Sequence, residues 1–294
     1  MELLIGIKSI GLLKHIKRKT ADGVIFGSAF SSKYSFSYND LKEIVAYCEV
    51  EGLKKYVSID AMIMEDDLGS LYRYLEIIKG FDVDGIYFAD LGIIPAARAY
   101  GLTDKLIYDP ITLIASSPDA GFFLSQGLGT VLARELTYEE DKKILEKFKG
   151  KIDMQIFGHL RMSFSKRKFL SNYFKQLGEE KDINDKDNLS LVEETREYRL
   201  PIRETRYGTE IYTDYCLLMY KELVSLMPSI RRGIVDSDFI NNDDLVIDVA
   251  KDIKKITSEN VTFLLTKLLS DYPSVNFDTG YLYKKTVDKK EDNE

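Results

Sequence analysis

Eight short apolar segments alternate with helical patterns along the chain, and this alternation most constrains the fold. Strands that are apolar at every position are typical of parallel sheets, which are buried on both faces. Eight strand–helix units are the number that forms a (β/α)8, or TIM, barrel. The sequence therefore predicts a TIM-barrel-like α/β fold, with an open doubly wound sheet as the alternative. The predicted strands are Leu3–Ile7, Gly23–Gly27, Tyr56–Ile59, Ile86–Ala89, Leu106–Tyr108, Val131–Ala133, Met154–Phe157 and Arg231–Asp236.

Helices between these strands carry recognisable start signals. Thr137 and Glu140 form a Thr-x-x-Glu capping box, which predicts a helix over 138–148. Asp40 and Glu43 have the same spacing, so we predict that they cap the second helix. The apolar residues that follow them recur with a helical period and predict one buried stripe, formed by Leu41, Ile44, Val45 and Cys48.

The connection between the seventh and eighth predicted strands, about 159–229, is far longer than an ordinary strand–helix connection. We predict a basic helix over 166–177, a β-hairpin formed by 196–206 and 210–213, and a second helix over 216–227. Long insertions in barrels commonly lie over the carboxyl-end face and contribute to function. The alternative is a surface decoration that covers an edge.

Composition and charge limit the class of protein. With 45% hydrophobic and 30% charged residues, the chain is typical of a globular protein, and we interpret residues 1–283 as one domain. Residues 284–294 are charged and predict a disordered tail. A net charge of −7 argues against non-specific coating of nucleic acid but allows a local basic patch.

Cysteine content and the lack of long apolar runs predict the compartment. Two cysteines are too few for a disulfide framework or a cysteine-based metal site. The chain has no apolar run of the ~18–20 residues needed for a membrane span, and no basic segment precedes the apolar run at its N-terminus. We therefore expect a cytoplasmic protein in a reducing environment, with no membrane contact.

Polar side chains follow the predicted strands at their carboxyl ends, where the sites of barrels and parallel sheets lie. If the barrel closes, the carboxylates among them ring one mouth. The alternative for each is a helix cap, because Asp is favoured at that position. These carboxylates are Asp60, Asp90, Asp109, Glu135 and Asp236.

Three further side chains complete the predicted site. Arg134 and Arg161 suit bidentate binding of a carboxylate or phosphate. His159 is placed to act as an acid, base or ligand, or to make a structural hydrogen bond. The catalytic candidates are Arg134, Glu135 and His159. The substrate-binding candidates are Asp60, Asp90, Asp109, Arg161, Ser163, Ser165 and Asp236, and no metal site is predicted.

A compact basic patch follows the seventh strand at Lys166, Arg167 and Lys168, with Tyr173 and Phe174 nearby. Cations beside aromatic rings can hold an RNA backbone while the rings stack on bases. The sequence therefore predicts RNA binding at these residues, with a solvated helix face as the alternative.

The residues of a conventional peptidase are lacking. Cys48 belongs to the buried stripe of the second helix, and Cys216 lies within a predicted apolar helix. The sequence contains neither a His-Glu-x-x-His nor a Gly-x-Ser-x-Gly motif, and its two histidines are His15 and His159.

Several ordered blocks nevertheless resemble the peptidase U32 family, the collagenase-like peptidases. LARELT at 132–137 and FGHLRMSFSKRKFLSNYF at 157–174 are similar to the two signature blocks of that family. Three earlier blocks, at 22–28, 47–60 and 84–92, follow in the same order. The resemblance covers roughly residues 1–175 well and implies a barrel-like α/β fold.

The resemblance also implies a chemistry. U32 relatives take part in oxygen-independent hydroxylation of RNA bases or quinone precursors, and the RNA-directed ones use prephenate, a dicarboxylate. Many hold an iron–sulfur cluster whose first ligand lies in a Ser-Gly-Arg-Cys segment. Here that segment reads Ser165-Lys166-Arg167-Lys168 and no later cysteine cluster exists, so we expect no iron–sulfur cluster. The family's His-x-Ser-x-Gln block is likewise replaced, by the residues at 108–112.

The chain thus resembles a short bacterial branch of the family that lacks the cluster. Members of that branch resemble one half of a pair of tRNA hydroxylation proteins. Our hypothesis is a factor that assists 5-hydroxylation of wobble uridine in tRNA, with a paralogous subunit and a small carboxylate ligand. The alternatives are a U32 peptidase, which is a hydrolase, and a non-catalytic partner subunit.

Overall fold

The computed structural model describes residues 1–179, 181, 183, 188–192, 194 and 198–284. Within these residues the chain forms twelve strands and ten α-helices. The strands are β1 Glu2–Gly6, β2 Gly23–Gly27, β3 Lys54–Ile59, β4 Gly85–Phe88, β5 Leu106–Tyr108, β6 Gly129–Val131, β7 Ile152–Ser165, β8 Ser190–Val192, β9 Arg199–Thr205, β10 Gly208–Leu218, β11 Ile230–Asp236 and β12 Phe277–Asp278. The helices are α1 Ile10–His15, α2 Tyr38–Glu51, α3 Leu68–Gly80, α4 Ile93–Ala99, α5 Ser117–Ser125, α6 Tyr138–Lys147, α7 Phe169–Gln176, α8 Tyr220–Leu226, α9 Asp243–Ile253 and α10 Val261–Asp271.

Eight parallel strands close into a barrel. Each of β1 to β6 pairs in parallel with the next strand, β7 pairs in parallel with β11, and β11 pairs back with β1. The predicted (β/α)8 class is therefore confirmed, and the open sheet is wrong. Helices between the strands cover the barrel, which explains why strands such as β2 are buried at every residue. No helix in the described part of the chain is long and apolar enough to cross a bilayer.

Helix starts follow the local chemistry of their first turns. The capping box of α6 is confirmed, because the Thr137 hydroxyl accepts from the Glu140 backbone N–H and the Glu140 carboxylate accepts in return. The predicted box at Asp40 and Glu43 is wrong. Ser37 caps α2 instead, with Asp40 as its reciprocal partner, so the helix begins earlier than the sequence pattern indicated.

The predicted insertion between the seventh and eighth barrel strands is present, and it forms a sheet extension above the mouth. The sequence pattern predicts that the seventh strand ends at Phe157, but β7 continues to Ser165 because its outer half gains a partner, antiparallel β10. The predicted hairpin is confirmed as β9 and β10, which meet at a tight turn. We use "sheet extension" below for residues 159–165 of β7 together with β9 and β10.

Two predicted boundaries in the insertion are wrong, and a third falls on a residue that the structure does not describe. Residues 216–218 end β10 rather than start a helix, because they pair with β7 on one side and β12 on the other. The basic segment forms a turn at 166–168 before α7 begins. Arg196, the predicted start of the hairpin, is outside the described residues, and so is the predicted tail except for Lys284.

Gly158 is the point at which β7 leaves the barrel. Its φ of 110° is a conformation that side chains disfavour, and a Cβ built there would lie 2.5 Å from the carbonyl oxygen of Asp236. Glycine therefore allows β7 to bend out of the barrel while remaining packed against the end of β11. The direction of the whole sheet extension depends on this residue.

We predict that Gly158→Ala destabilises the protein by about 3 kcal/mol or more, since it combines backbone strain with a clash against main chain. Gly127→Ala is the matched control, because Gly127 also has a positive φ but has open space around its Cβ position. That variant should lose only ~1 kcal/mol. Urea unfolding of both variants tests this, and equal losses would show that the close approach is unimportant.

Candidate functional site

A cavity of about 760 Å³ opens at the carboxyl ends of β3, β4 and β5. The sheet extension forms the facing wall with Arg161, Ser163 and Phe164. Asp60 and Asp90 provide the polar part of the opposite wall. We call this space the mouth cavity. Four apolar side chains that line it are at least 40% exposed: Met62, Leu91, Leu113 and Met162.

Glu210 of β10 is the centre of the charge network beside this cavity. Its side chain is 1% exposed, and one carboxylate oxygen accepts from Arg161 and from the Ser32 hydroxyl, the latter at 2.9 Å. The other oxygen accepts from the Tyr212 hydroxyl at 2.9 Å and from Arg203 at 3.3 Å. Burial alone would raise the pKa of Glu210, but the Arg161 and Arg203 charges outweigh it and lower the pKa to about 2.

A second ion pair fixes the sheet extension to the barrel. Arg203 of β9 donates two parallel hydrogen bonds of 2.8 Å to Asp238, which follows β11. Ser32, in the loop after β2, also links the barrel to the sheet extension, because its hydroxyl donates to Glu210 of β10. Both links join the extension to loops at the carboxyl end of the barrel. The insertion is therefore held over the mouth by buried charged and polar contacts.

Asp60 receives its contacts from the same loop after β2. Its carboxylate accepts from the Ser32 backbone N–H at 2.6 Å and lies within hydrogen-bonding distance of the Ser31 and Ser32 hydroxyls. Burial and the nearby Glu210 charge raise the pKa of Asp60 despite the opposing Arg161 charge. Asp60 therefore holds its proton more tightly than an ordinary carboxyl group.

Asp236 lies at the end of β11 and pairs with Lys33, whose Nζ is 2.6 Å from one carboxylate oxygen. The Tyr34 hydroxyl donates to the other oxygen at 2.7 Å. Burial would raise the pKa of Asp236, but the Lys33 charge outweighs it, so the pKa is lowered. The pair is buried and lines a small cavity together with Asp60, Asp109 and Arg134.

Arg134 and Asp109 form a third buried pair, joined by hydrogen bonds of 2.8 and 2.9 Å. The Nε–H of Arg134 donates to the Gln155 side-chain oxygen at 2.5 Å. Burial would raise the pKa of Asp109, but the Arg134 charge outweighs it and lowers the pKa. Asp90 instead braces the cavity wall, because its oxygens accept from the backbone N–H groups of Ile63 and Gly92.

The structure thus brings six of the predicted charged residues, together with Ser163, to one mouth and leaves other predicted site residues outside it. Glu135 is exposed, away from the buried network. The His159 Nδ1 donates to the Thr213 carbonyl oxygen at 2.8 Å, and this residue is not part of the described cavity wall. Ser163 lines the cavity, whereas Ser165 accepts from the Arg167 backbone N–H at the end of β7. The residues at the mouth are Asp60, Asp90, Asp109, Arg134, Arg161 and Asp236.

The predicted RNA-binding cations lie on the rim of the mouth. Lys166, Arg167 and Lys168 are all exposed, in the turn that ends the sheet extension. Lys166 Nζ lies 3.1 Å from the sulfur of Met64, in the loop after β3 that also contributes Met62 to the cavity. The basic turn therefore adjoins the mouth cavity.

Sequence reasoning missed the residues that hold this network together. Lys33 lies in a hydroxyl-rich loop and Asp238 is two residues beyond a strand-end aspartate, which are weak signals. Arg203 and Glu210 lie in hairpin strands, where charges ordinarily face solvent. Only the folding of the hairpin over the mouth shows that they are buried.

Comparison with known proteins assigns the family. The sequence model of peptidase family U32 matches residues 10–228, which is most of the chain. The chain belongs to peptidase family U32. Among solved structures, the U32 peptidase Mk0906 superposes with a TM-score of 0.49 and 16% identity, over 80% of this chain and 92% of that one.

Curated relatives of this U32 chain include RNA hydroxylation proteins. It is 28% identical over 267 residues to tRNA hydroxylation protein P2 of Bacillus subtilis, covering 86% of each chain. It is 27% identical to tRNA hydroxylation protein P1 of the same organism, over 58% of this chain and 42% of that protein. It is 26% identical to the 23S rRNA 5-hydroxycytidine C2501 synthase of Escherichia coli, over 58% of this chain and 26% of the synthase.

The described part of this U32 protein offers little to a peptidase mechanism. Both cysteines are buried, and burial raises the pKa of the Cys48 thiol to about 12 and that of Cys216 further above its usual range. Among the described residues, no group of three or more His, Cys, Asp or Glu side chains could hold a metal ion.

We predict that Glu210→Gln destabilises this U32 protein by ~3 kcal/mol at neutral pH, because it removes the carboxylate that pairs with the buried Arg161, whereas Arg203 keeps its pair with Asp238. The lowered pKa of Glu210 gives stability that is present above its ordinary pKa of 4.5 and is lost as the pH falls towards about 2. Urea unfolding between about pH 6 and pH 3 should therefore show a shallower acid dependence in Glu210→Gln than in the wild type.

Glu43→Gln is the control for this experiment. Glu43 is 51% exposed and pairs with Lys14 at 3.4 Å, so its loss should change the unfolding free energy by less than ~1 kcal/mol. Equal stability of the Glu210→Gln variant and the wild type at every pH would contradict the role given to Glu210.

Proposed function

We propose that this U32 protein takes part in the hydroxylation of pyrimidine bases in RNA. The specific reaction we infer is oxygen-independent 5-hydroxylation of wobble uridine in tRNA. The names of the three RNA hydroxylation relatives support the general reaction, and similarity to P2 over 86% of both chains supports tRNA as the substrate.

The observation that carries this proposal is the position of the basic turn beside the mouth cavity. The chain as a whole has a charge of −7, yet Lys166, Arg167 and Lys168 stand together and exposed at the rim. Phosphates bound by these cations would leave a nucleotide within reach of the cavity, because β7 connects the two directly. A binding site for a chain of phosphates next to a cavity for one ring fits an RNA-modifying protein.

Helix α7 extends the same surface. Its Phe169 and Tyr173 are 46% and 57% exposed, and they are spaced one turn apart on one face. The Tyr173 ring also meets Phe174 edge-on at a centroid distance of 5.4 Å. Exposed rings beside cations are the combination that binds unpaired bases and their backbone. We therefore assign the nucleotides that flank the modified base to α7 and the basic turn.

Hydroxylation replaces a C–H bond by a C–OH bond, which is a two-electron oxidation of the base, so the reaction needs a source of the oxygen atom and an electron acceptor. We assign this chain the binding and positioning of the base, and prephenate remains the predicted co-substrate. The guanidinium of Arg134 is bound by Asp109, and one nitrogen of Arg161 is bound by Glu210. A dicarboxylate would therefore compete with internal carboxylates, and the catalytic roles of Arg134, Glu135 and His159 remain predictions.

A paralogous subunit is part of the proposal. This chain is similar to two different proteins of one organism, P1 and P2 of Bacillus subtilis, which are both tRNA hydroxylation proteins. Paired U32 subunits would explain why the short chain lacks the cysteines of a cluster, since the partner could supply functions that this chain does not carry.

Nucleoside mass spectrometry of bulk tRNA from cells with and without the gene tests the proposed function. Deletion should remove the 5-hydroxyuridine derivatives, and the wild-type gene should restore them. The double variant Lys166→Ala, Arg167→Ala should restore them poorly. We expect a level of 5-hydroxyuridine derivatives about tenfold or more below that of the wild type, because each lost phosphate contact weakens RNA binding.

The control removes the same charge elsewhere. Lys143 lies within α6 and Lys149 lies just after it, and both are exposed, so Lys143→Ala, Lys149→Ala should restore the modification fully. An unchanged nucleoside profile after deletion, in a host shown to make 5-hydroxyuridine, would overturn the proposed function.

A further inference from the structure

We propose that the mouth cavity binds one pyrimidine base extruded from the RNA, with Arg161 and Asp60 contacting its polar edge. This inference rests on the proposed function and deepens it, because it assigns the modified base to particular residues. A base within a helical stack is not accessible to modifying proteins, which therefore turn it out into a pocket. Four observations support the mouth cavity as that pocket.

The first observation is size and openness. The volume of about 760 Å³ lies within the range of ~300–1,000 Å³ that is typical of small-ligand sites. The other cavities around the mouth, by contrast, hold about 20 and 30 Å³, enough for a water molecule but not a ring. Within the described mouth, the large cavity is the space that can accept a nucleotide.

The second observation is the apolar lining. Leu113 is 63% exposed, Leu91 is 50% exposed, and Met62 and Met162 are each 40% exposed, all around one opening. Large apolar side chains exposed together mark a binding surface. Tyr108 at the end of β5 and Phe164 of the sheet extension add aromatic rings to the two facing walls. Apolar and aromatic groups on opposite sides suit the two flat faces of a base.

The third observation is the polar edge of the cavity. Among the described contacts, Arg161 donates from Nη1 to Glu210, so its other N–H groups remain available to a ligand in the cavity that it lines. The Asp60 carboxylate lines the same cavity and accepts hydrogen bonds from the loop after β2. Each pyrimidine base has a carbonyl oxygen that can accept from a guanidinium and an N–H that can donate to a carboxylate.

The fourth observation is charge. The cavity lining contains one cation, Arg161, and two carboxyl groups, Asp60 and Asp90. The buried Glu210 already balances Arg161, and its lowered pKa of about 2 keeps it ionised. A dicarboxylate would meet like charges here, whereas a neutral base would not. The lining therefore favours a base over a small dianion.

The position of the basic turn completes the geometry. Lys166 follows Arg161 by five residues, and residues 161–165 belong to strand β7. At the rise of an extended strand, the two residues lie ~16 Å apart. That distance allows the base to enter the cavity while neighbouring phosphates contact the turn. Ser163 lies between them in the cavity wall.

Photocrosslinking tests the assignment. The probe is a short single-stranded RNA with one 4-thiouridine at its centre, irradiated with the full-length protein and mapped by peptide mass spectrometry. Crosslinks should map to residues 110–113 or 161–164, which line the cavity. Leu113→Glu, which places a charge on the rim, should lower the crosslink yield about tenfold, because one base contact is lost. The matched control is Val50→Glu on α2, where Val50 is 84% exposed.

Each outcome has a distinct meaning. Crosslinks confined to α7 and the basic turn, unchanged by Leu113→Glu, would overturn the cavity assignment but leave RNA binding intact. Suppression of the cavity crosslinks by malonate, but not by chloride at equal ionic strength, would reassign the cavity to a dicarboxylate. RNA that neither binds nor crosslinks would overturn the proposed function itself. Loss of cavity crosslinks in Leu113→Glu, with full yield in Val50→Glu, would support the inference.

Discussion

The buried carboxylate of Glu210 is the interaction on which the site depends. It joins Arg161 of β7, Arg203 of β9 and Ser32 of the barrel loop, so that three separate parts of the chain meet at one group. Buried ion pairs contribute little to net stability, but the removal of one partner is strongly destabilising. The network therefore acts as a positional constraint. It holds the sheet extension over the barrel and turns Arg161 towards the cavity.

Most of the barrel could be predicted from the sequence because strand burial leaves a local signal. Short apolar segments such as 23–27 and 106–108 were located to the residue, and the hairpin of the insertion was also found. The continuation of β7 was missed because its outer half, 159–165, is polar and its partner β10 lies about fifty residues later in the chain. The helix α10 and the strand β12 were not predicted, since β12 is only two residues long and depends on β10.

The site was predictable only in part, for a physical reason. Carboxylates at strand ends must meet when a parallel barrel closes, so Asp60, Asp109 and Asp236 could be expected at one mouth. Their partners could not be derived in this way. Glu210 and Lys33 occupy a hairpin strand and a loop whose positions are set by tertiary packing. The side chain of Glu135, next to Arg134, is exposed because the chain turns outwards before α6.

The most direct test is NMR of the methionine methyl groups during titration with RNA. Met62 and Met162 line the mouth cavity, whereas Met1 and Met227 lie elsewhere and act as internal references. If the base enters the cavity, RNA with a central uridine will shift the Met62 and Met162 signals, and the same RNA with an abasic site at that position will not. Equal shifts with both RNAs, or shifts confined to the reference methyls, would contradict binding of the base in the cavity.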